Sequence, residues 1–304
     1  MDYKKIIKSR ELRCAILRCL SFIPDKAMLK LQYRIKTGRK LNLKNPKRYT
    51  EKLQWYKLYY RDQDMVRCAD KYDVRSYIEE LGLSHILNEC YGVYDTAEEI
   101  DFDKLPNQFV LKDTLGGGGN SVLIVRDKAT MDIELVKTQL RKWVNEPHRA
   151  KSGGREWPYY SGKKHRIIVE RYIESDENAG GLIDYKFFCF YGKVAFLYGI
   201  ADRIFGQGSG LGIFDKDFCR LPYQVKNKPL TRKIKKPDHY DDMLVCAKRL
   251  SEKFPHARVD LYNLAGKVIF GEITFYDASG YTIFDPDEFD FELGDKFILP
   301  PKMN

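Results

Sequence analysis

The stretch at 257–275, Ala-Arg-Val-Asp-Leu-Tyr-Asn-Leu-Ala-Gly-Lys-Val-Ile-Phe-Gly-Glu-Ile-Thr-Phe, constrains this chain most, because two alternating runs meet at a Gly-containing turn and read as a β-hairpin. The expected turn is a three-residue loop, Leu264-Ala265-Gly266, with Gly266 in the left-handed region that such loops favour. That register pairs Asn263 with Lys267 and Asp260 with Phe270. One face then carries Arg258, Asp260, Tyr262, Val268, Phe270, Glu272 and Thr274. The other carries Val259, Leu261, Ile269, Gly271, Ile273 and Phe275; it is apolar throughout and must be the buried one. Asp260 and Glu272 become diagonal neighbours about 7–8 Å apart, a gap that two carboxylates and a small cation can fill. The rival reading is an ordinary cross-strand ion pair between Arg258 and Glu272, with Asp260 merely solvated. The hairpin alone leaves both open.

With 304 residues, 43% hydrophobic and 13% aromatic, the chain can form one large or two moderate domains with real cores. Its net charge of +10 favours anionic partners: nucleotide phosphates, nucleic acid, anionic lipid or an acidic polysaccharide. The surface is nevertheless mixed, with 43 acidic residues beside 53 basic ones. No polybasic tract or aromatic-basic repeat marks a nucleic-acid binder, so no nucleic-acid partner is expected. The seven cysteines (Cys14, Cys19, Cys68, Cys90, Cys189, Cys219, Cys246) are scattered and never spaced C-x-x-C, which argues against a disulfide framework and a zinc ribbon. A reducing, cytoplasmic location is expected, since the chain also lacks a membrane-spanning apolar run and a signal-peptide core. From Tyr3 to Ile23 apolar and basic residues alternate as in an amphipathic helix, ended by Pro24. Such a helix either packs on the protein with snorkelling basic side chains or rests peripherally on the inner face of the plasma membrane.

Beyond it, 26–104 reads as mostly helical, with a break at Asn45-Pro46, a capped start at Thr50, a second helix near 64–81 and a short strand around 90–94. At Gln108 the texture becomes strand, Gly-rich turn, strand, followed by a helix at about 133–145 and an apolar strand at 166–173. A hairpin about Tyr191-Gly192, a helix at 241–254 and the opening hairpin complete the chain.

Gly116, Gly117, Gly118 and Gly119 can bring backbone N–H groups close to a phosphate chain, with no side chain in the way. Lys112 stands on the strand entering this loop, whereas a P-loop places its lysine directly after the glycines and a protein kinase on a later strand. Neither of those motifs fits, and a hairpin tip with an incidental lysine is the plain alternative. Glu170 and Ile173 end an apolar strand where backbone groups could meet the edge of an adenine ring. Asp184 and Lys186 share a strand face by the period of two, as a ribose carboxylate and a phosphate-binding ammonium would, or as a surface ion pair would.

Taken in order, Phe-Val-Leu-Lys with its Gly loop, Val-Glu-Arg-Tyr-Ile, Asp-Tyr-Lys-Phe-Phe-Cys-Phe-Tyr-Gly-Lys-Val, Arg-Val-Asp-Leu and Gly-Glu-Ile-Thr-Phe resemble the ATP-grasp superfamily. More narrowly, Asn-Pro-Lys-Arg-Tyr-Thr-Glu-Lys-Leu-Gln-Trp-Tyr-Lys-Leu (45–58), Ala-Asp-Lys-Tyr-Asp-Val-Arg (69–75) and Gly-Arg-Glu-Trp (154–157) resemble its TupA-like branch, associated with teichuronopeptide and other cell-surface polysaccharide synthesis. The resemblance implies an α+β ATP-grasp fold, two α+β subdomains holding ATP between them, with a mainly helical N-terminal extension. It divides the chain into that extension (1–60), a small α/β pre-grasp region (61–107), a lid subdomain with the Gly-rich loop (108–175) and a C-terminal catalytic subdomain (176–304).

Residue by residue, the resemblance implies that Lys112 binds phosphate, Gly116 to Gly119 cover it, Glu170 and Ile173 form the adenine hinge and Asp184 contacts ribose. Lys186 and Arg203 match basic positions near the transferred phosphoryl group or the acceptor carboxylate, and Arg258 is a further cation that would help neutralise the anions that must meet. Asp260 and Glu272 match magnesium ligands, with Thr274 standing where many relatives have Asn, so that a hydroxyl replaces an amide carbonyl. The segment Tyr-Asp-Ala-Ser-Gly (276–280) departs from the branch's usual Thr-Pro-Gly-Ser-Gly type. The implied activity is an ATP- and Mg2+-dependent carboxylate-amine ligase whose partners are a nucleotide, a carboxylate such as a uronic-acid-containing saccharide, and an amine. A glycan-modifying kinase or glycosyltransferase is the alternative, and a non-catalytic adaptor that keeps the fold is a second one. The five histidines show no ligand spacing and no obvious general base.

Overall fold

The structure, a computed structural model, describes residues 9–117, 121–145, 153–160, 162–174, 181–204, 208–225 and 229–303. Its helices are α1 (Arg10–Cys19), α2 (Asp25–Thr37), α3 (Tyr49–Tyr59), α4 (Gln63–Ala69), α5 (Val74–Glu80), α6 (Ile133–Val144), α7 (Tyr240–Ser251) and α8 (Glu288–Lys296). Its strands are β1 (Cys90–Tyr94), β2 (Phe109–Asp113), β3 (Val122–Val125), β4 (Ile167–Arg171), β5 (Asp184–Phe190), β6 (Lys193–Ile204), β7 (Gly208–Phe214), β8 (Gln224–Val225), β9 (Ala257–Leu264), β10 (Lys267–Thr274) and β11 (Phe284–Asp285). The chain forms two compact α+β units, one of 1–62, 150–157 and 176–304, the other of 63–149 and 158–175. No helix among the described residues is long and apolar enough to cross a membrane.

In the smaller unit an antiparallel sheet of order β1-β4-β2-β3 packs against α6. Inward residues of β2 and β4, Phe109, Leu111, Ile167 and Val169, meet Leu140 and Trp143 of α6. Asp132 caps that helix, its carboxylate accepting from the Leu135 N–H at 3.0 Å. The single helix expected over 64–81 is instead two, α4 and α5. Asp70 Oδ1 accepts from the backbone N–H groups of Tyr72 (2.8 Å) and Asp73 (2.9 Å), and this local turn displaces helical hydrogen bonding.

In the larger unit the sheet runs β10-β9-β5-β6-β7, all antiparallel. β5 lies between two strands, which explains why all seven of its residues are buried. The expected hairpin turn at Tyr191-Gly192 has both residues at positive φ, +45° and +74°, the geometry of a two-residue turn that matches strand twist. Glu51 organises the start of α3, accepting from the N–H groups of Asn42, Lys47 and Arg48 at 3.0–3.2 Å. On α8, Asp290 accepts from both the N–H and the hydroxyl of Thr50.

The opening hairpin forms, with a corrected register. Its loop has two residues, Ala265 and Gly266, at φ +49° and +87°, so Leu264 pairs with Lys267 and Asn263 with Val268 rather than Lys267. Asn263 supplies the missing turn chemistry: its side-chain oxygen accepts from the Gly266 N–H at 2.9 Å, and its amide donates to the Asp238 carbonyl at 2.6 Å. Phe270 then pairs with Leu261 and joins the apolar face. A β-bulge at Gly271 shifts the ladder by one residue, which places Asp260 directly opposite Glu272 and Arg258 opposite Thr274. A Cβ on Gly271 would stand 3.0 Å from the Asp260 carbonyl oxygen and 3.2 Å from the Tyr262 ring, so the bulge favours glycine.

His256, at the edge of β9, is fully buried among Tyr49, Phe190 and Phe297. Its neutral form satisfies both ring nitrogens: Nδ1–H donates to the Cys189 carbonyl (3.1 Å) and Nε2 accepts from the Tyr49 hydroxyl (3.0 Å). Burial pushes its pKa down to about 3. Because this lies below the unfolded value of about 6.5, the unfolded chain binds the extra proton, and stability falls as pH drops through the interval. Between pH 6.5 and pH 5 the wild type is expected to lose roughly 1.5 kcal/mol more than His256→Gln, the slope approaching about 1.4 kcal/mol per pH unit only below pH 6. Parallel urea titrations of the two proteins at both pH values check this, and equal losses would refute it.

Candidate nucleotide and metal site

The larger unit gathers the acidic end of the candidate site on one face of its sheet. Directly opposite residues run in a row across four strands: Tyr198 on β6, Lys186 on β5, Asp260 on β9 and Glu272 on β10. Asp184 joins them two residues before Lys186. Lys186 bridges two carboxylates, Asp184 at 2.7 Å and Asp260 at closer range. Asp260 is 1% exposed, whereas the Glu272 side chain is 41% exposed, so one carboxylate is locked in the sheet and the other reaches solvent.

Arg258 is the hub. Its Nε and Nη2 donate to the two oxygens of Asp260 (2.7 and 2.8 Å), Nη1 donates to Asp277 (2.5 Å), and Nη2 also donates to Glu272 (2.8 Å) and to the Thr274 hydroxyl (3.0 Å). Thr274 in turn donates to Glu272 at 3.1 Å. The Arg258–Glu272 ion pair of the rival reading is present, although Arg258 lies opposite Thr274, and the two carboxylates are directly opposed rather than diagonal. Asp260 is not solvated; it is buried between two cations.

These contacts set the electrostatics. Burial pushes the Asp260 carboxyl up to about 7, against the opposing pull of Arg258 and Lys186. Burial lowers the Lys186 pKa, but Asp184 and Asp260 outweigh it and the net shift is upward. For Arg258 burial is likewise outweighed by Asp260 and Asp277, and the group stays charged. Four carboxylates, Asp184, Asp260, Glu272 and Asp277, face two cations, which leaves a formal excess of two negative charges.

Among the described residues, no group of three or more His, Cys, Asp or Glu side chains is placed to hold a metal ion. Asp260, Glu272 and Thr274 offer oxygen donors of the hard kind that Mg2+ takes, with both Asp260 oxygens already accepting from Arg258 and one also from Lys186. Asp277 was missed by sequence reasoning. Its signal was its place in the atypical 276–280 segment, where Ala278 and Ser279 adopt φ of +44° and +55°, a conformation that non-Gly residues hold at a cost.

In the smaller unit Lys112 and Glu170 are diagonal partners on β2 and β4, with Nζ 2.5 Å from Glu170 Oε2. The stem of the Gly-rich loop is clamped from the side. Lys71 N–H donates to the Thr114 carbonyl at 2.9 Å, and its Nζ donates to the carbonyls of Asp113 (3.2 Å) and Gly116. His165 Nδ1 lies 2.9 Å from both oxygens of Asp113. Gly116 turns back through its N–H to the Asp113 carbonyl, and a Cβ there would come within 2.5 Å of Ser121 Cβ. Ile173 lies just past β4, half-buried. Gly117 is described and exposed; Gly118, Gly119 and the side chain of Arg203 lie outside the described residues.

A family profile described as TupA-like ATPgrasp matches residues 51–298. No curated protein matches the sequence. Similar solved structures include D-alanine–D-alanine ligase from Bacillus anthracis, 20% identical with a TM-score of 0.43, over 76% of this chain and 67% of that one. The same enzyme from Helicobacter pylori is 14% identical with a TM-score of 0.45, over 82% and 68%. The ADP complex of purK, N5-carboxyaminoimidazole ribonucleotide synthetase, is 14% identical with a TM-score of 0.43; the match covers 74% of this chain and half of that one, 50%. With the profile spanning most of its length, the chain belongs to the TupA-like ATP-grasp family and has that family's α+β fold.

Proposed function

We propose that this protein is an ATP- and Mg2+-dependent ligase that activates a carboxylate as an acyl phosphate and passes it to an amine, forming an amide on a cell-surface polysaccharide or its precursor. The observation that carries this reading is the opposed pair Asp260 and Glu272, braced by Arg258 and Lys186. Asp260, Glu272 and Thr274 would hold Mg2+, which supplies charge neutralisation at phosphoryl oxygens when bound. Lys186, Arg203 and Arg258 are assigned to the anions that must meet during transfer, and a preorganised cationic environment is most effective where water is excluded. Lys112 and Gly116 to Gly119 are assigned to phosphates, Glu170 and Ile173 to adenine and Asp184 to ribose. A cytoplasmic location follows from the same reading, because ATP is available there.

Family membership and the acidic row support the ATP-dependent chemistry; the saccharide rests on the TupA-like association alone. Incubation with ATP, Mg2+, uronic-acid saccharides and a panel of amino acids is expected to yield ADP, phosphate and an amide, read by mass spectrometry. ADP with a phosphorylated sugar, or turnover of a nucleotide sugar and none of ATP, would overturn the proposal. In cells, deleting the protein should remove an amide-linked amino acid from the surface polysaccharide.

A further inference from the structure

The helical N-terminal part of the larger unit carries an outward surface that the proposed chemistry does not use. On α2, Ala27, Leu31 and Ile35 follow at spacings of four and form one exposed stripe, with Leu31 49% and Ile35 42% exposed. Lys26, Lys30 and Arg34 are exposed beside it. No acidic residue occurs from Lys26 to Gly38, and Asp25, the one carboxylate at the start of the helix, is engaged by Arg155 at 2.9 Å. Phe22, at the corner between α1 and α2, is 78% exposed. On α1, Leu12 and Ile16 form a second exposed apolar pair, again at a spacing of four.

The corner is held, not loose. The Arg155 guanidinium is buried and donates to the carbonyls of Leu20 (2.9 Å) and Ser21 (3.3 Å) as well as to Asp25. It thus ties the end of α1 to the start of α2 and keeps Phe22 turned outward. Lys36 is withdrawn from the surface onto the Tyr281 ring, 4.0 Å from its centroid. What is left outward on α2 is an apolar ridge flanked along one side by three cations, with Phe22 exposed at the preceding corner. A protein partner would need an apolar groove with acids placed along one side, whereas an anionic bilayer meets both requirements at any point on its surface.

We infer that the Phe22 corner and the Ala27-Leu31-Ile35 stripe of α2 dock this protein on an anionic lipid surface, with Lys26, Lys30 and Arg34 over the headgroups. The sequence suggested residues 3–23 for such a role; the surface of Phe22, Leu31 and Ile35 begins at the end of that segment and runs to residue 35. Each basic side chain contributes about fivefold in partition, so the three together amount to roughly a hundredfold.

The test is flotation of the full chain with phosphatidylcholine vesicles, with and without phosphatidylglycerol, at low and high salt. Binding is expected only with phosphatidylglycerol and should fall severalfold at high salt as the charges are screened. Leu31→Glu/Ile35→Glu, and separately Lys26→Glu/Lys30→Glu, should each abolish it while leaving thermal unfolding and ATP turnover unchanged. No flotation of the wild type, equal binding to both vesicles, or full binding by either variant would overturn the inference. So would a wild-type dimer in light scattering that Leu31→Glu/Ile35→Glu renders monomeric, since a second copy would then cover the stripe.

Discussion

Arg258→Met is expected to lower stability by about 3–5 kcal/mol, the usual cost of removing one partner from a buried ion pair. Methionine is of similar length, but it leaves Asp260 and Asp277 without the guanidinium that now satisfies them, both less than 9% exposed. The pH dependence gives the loss its signature. Burial already raises the Asp260 carboxyl, and without Arg258 it moves further up, so the folded variant binds a proton that the unfolded chain has released. Stability of the variant relative to wild type should therefore recover as pH falls toward the wild-type Asp260 value of about 7 and change little below it. Urea unfolding at several pH values measures both effects. A loss below about 1 kcal/mol, or a gap that widens toward acid pH, would show that the cluster is not held as the structure has it.

Glu272→Gln separates chemistry from folding. The side chain is 41% exposed, so the unfolding midpoint should move little, while one of the two opposed carboxylates is lost. Turnover of ATP is expected to fall about 10²–10³-fold, the scale on which a single electrostatic contributor to phosphoryl transfer is usually felt. The Mg2+ concentration for half-maximal activity should rise as well. Under the proposed metal set a proton would compete with the cation at Asp260, whose carboxyl burial raises, so that concentration should also rise as pH falls. An unchanged Mg2+ dependence in Glu272→Gln would remove this residue from the metal set.

Much of the candidate site was legible because it rests on local pattern. Alternation over 257–275 identifies two strands, and period two puts Arg258 with Asp260, Glu272 with Thr274, and Asp184 with Lys186, each pair on one strand face. Lys112 ahead of a glycine run is likewise readable, although its 2.5 Å partner Glu170 comes from a strand far along the chain. The break at Asp70 escaped because its side-chain turn competes with a helix whose periodicity continues on both sides.

The register of the opening hairpin was beyond the sequence, for two identifiable reasons. The turn holds a non-glycine, Ala265, at positive φ, stabilised by Asn263, and the ladder slips at Gly271, where the neighbouring strand leaves no room for a side chain. These small displacements convert a diagonal pair of carboxylates into an opposed one. Nor could pattern show that β5 lies beside β9, which brings Lys186 opposite Asp260, or that Asp277 turns back to Arg258. The sequence by itself thus determined which side chains share a strand face, because side-chain alternation is a property of consecutive residues. Only the tertiary structure decided which charges touch, because strand order and register are set by long-range packing and by backbone sterics at single positions.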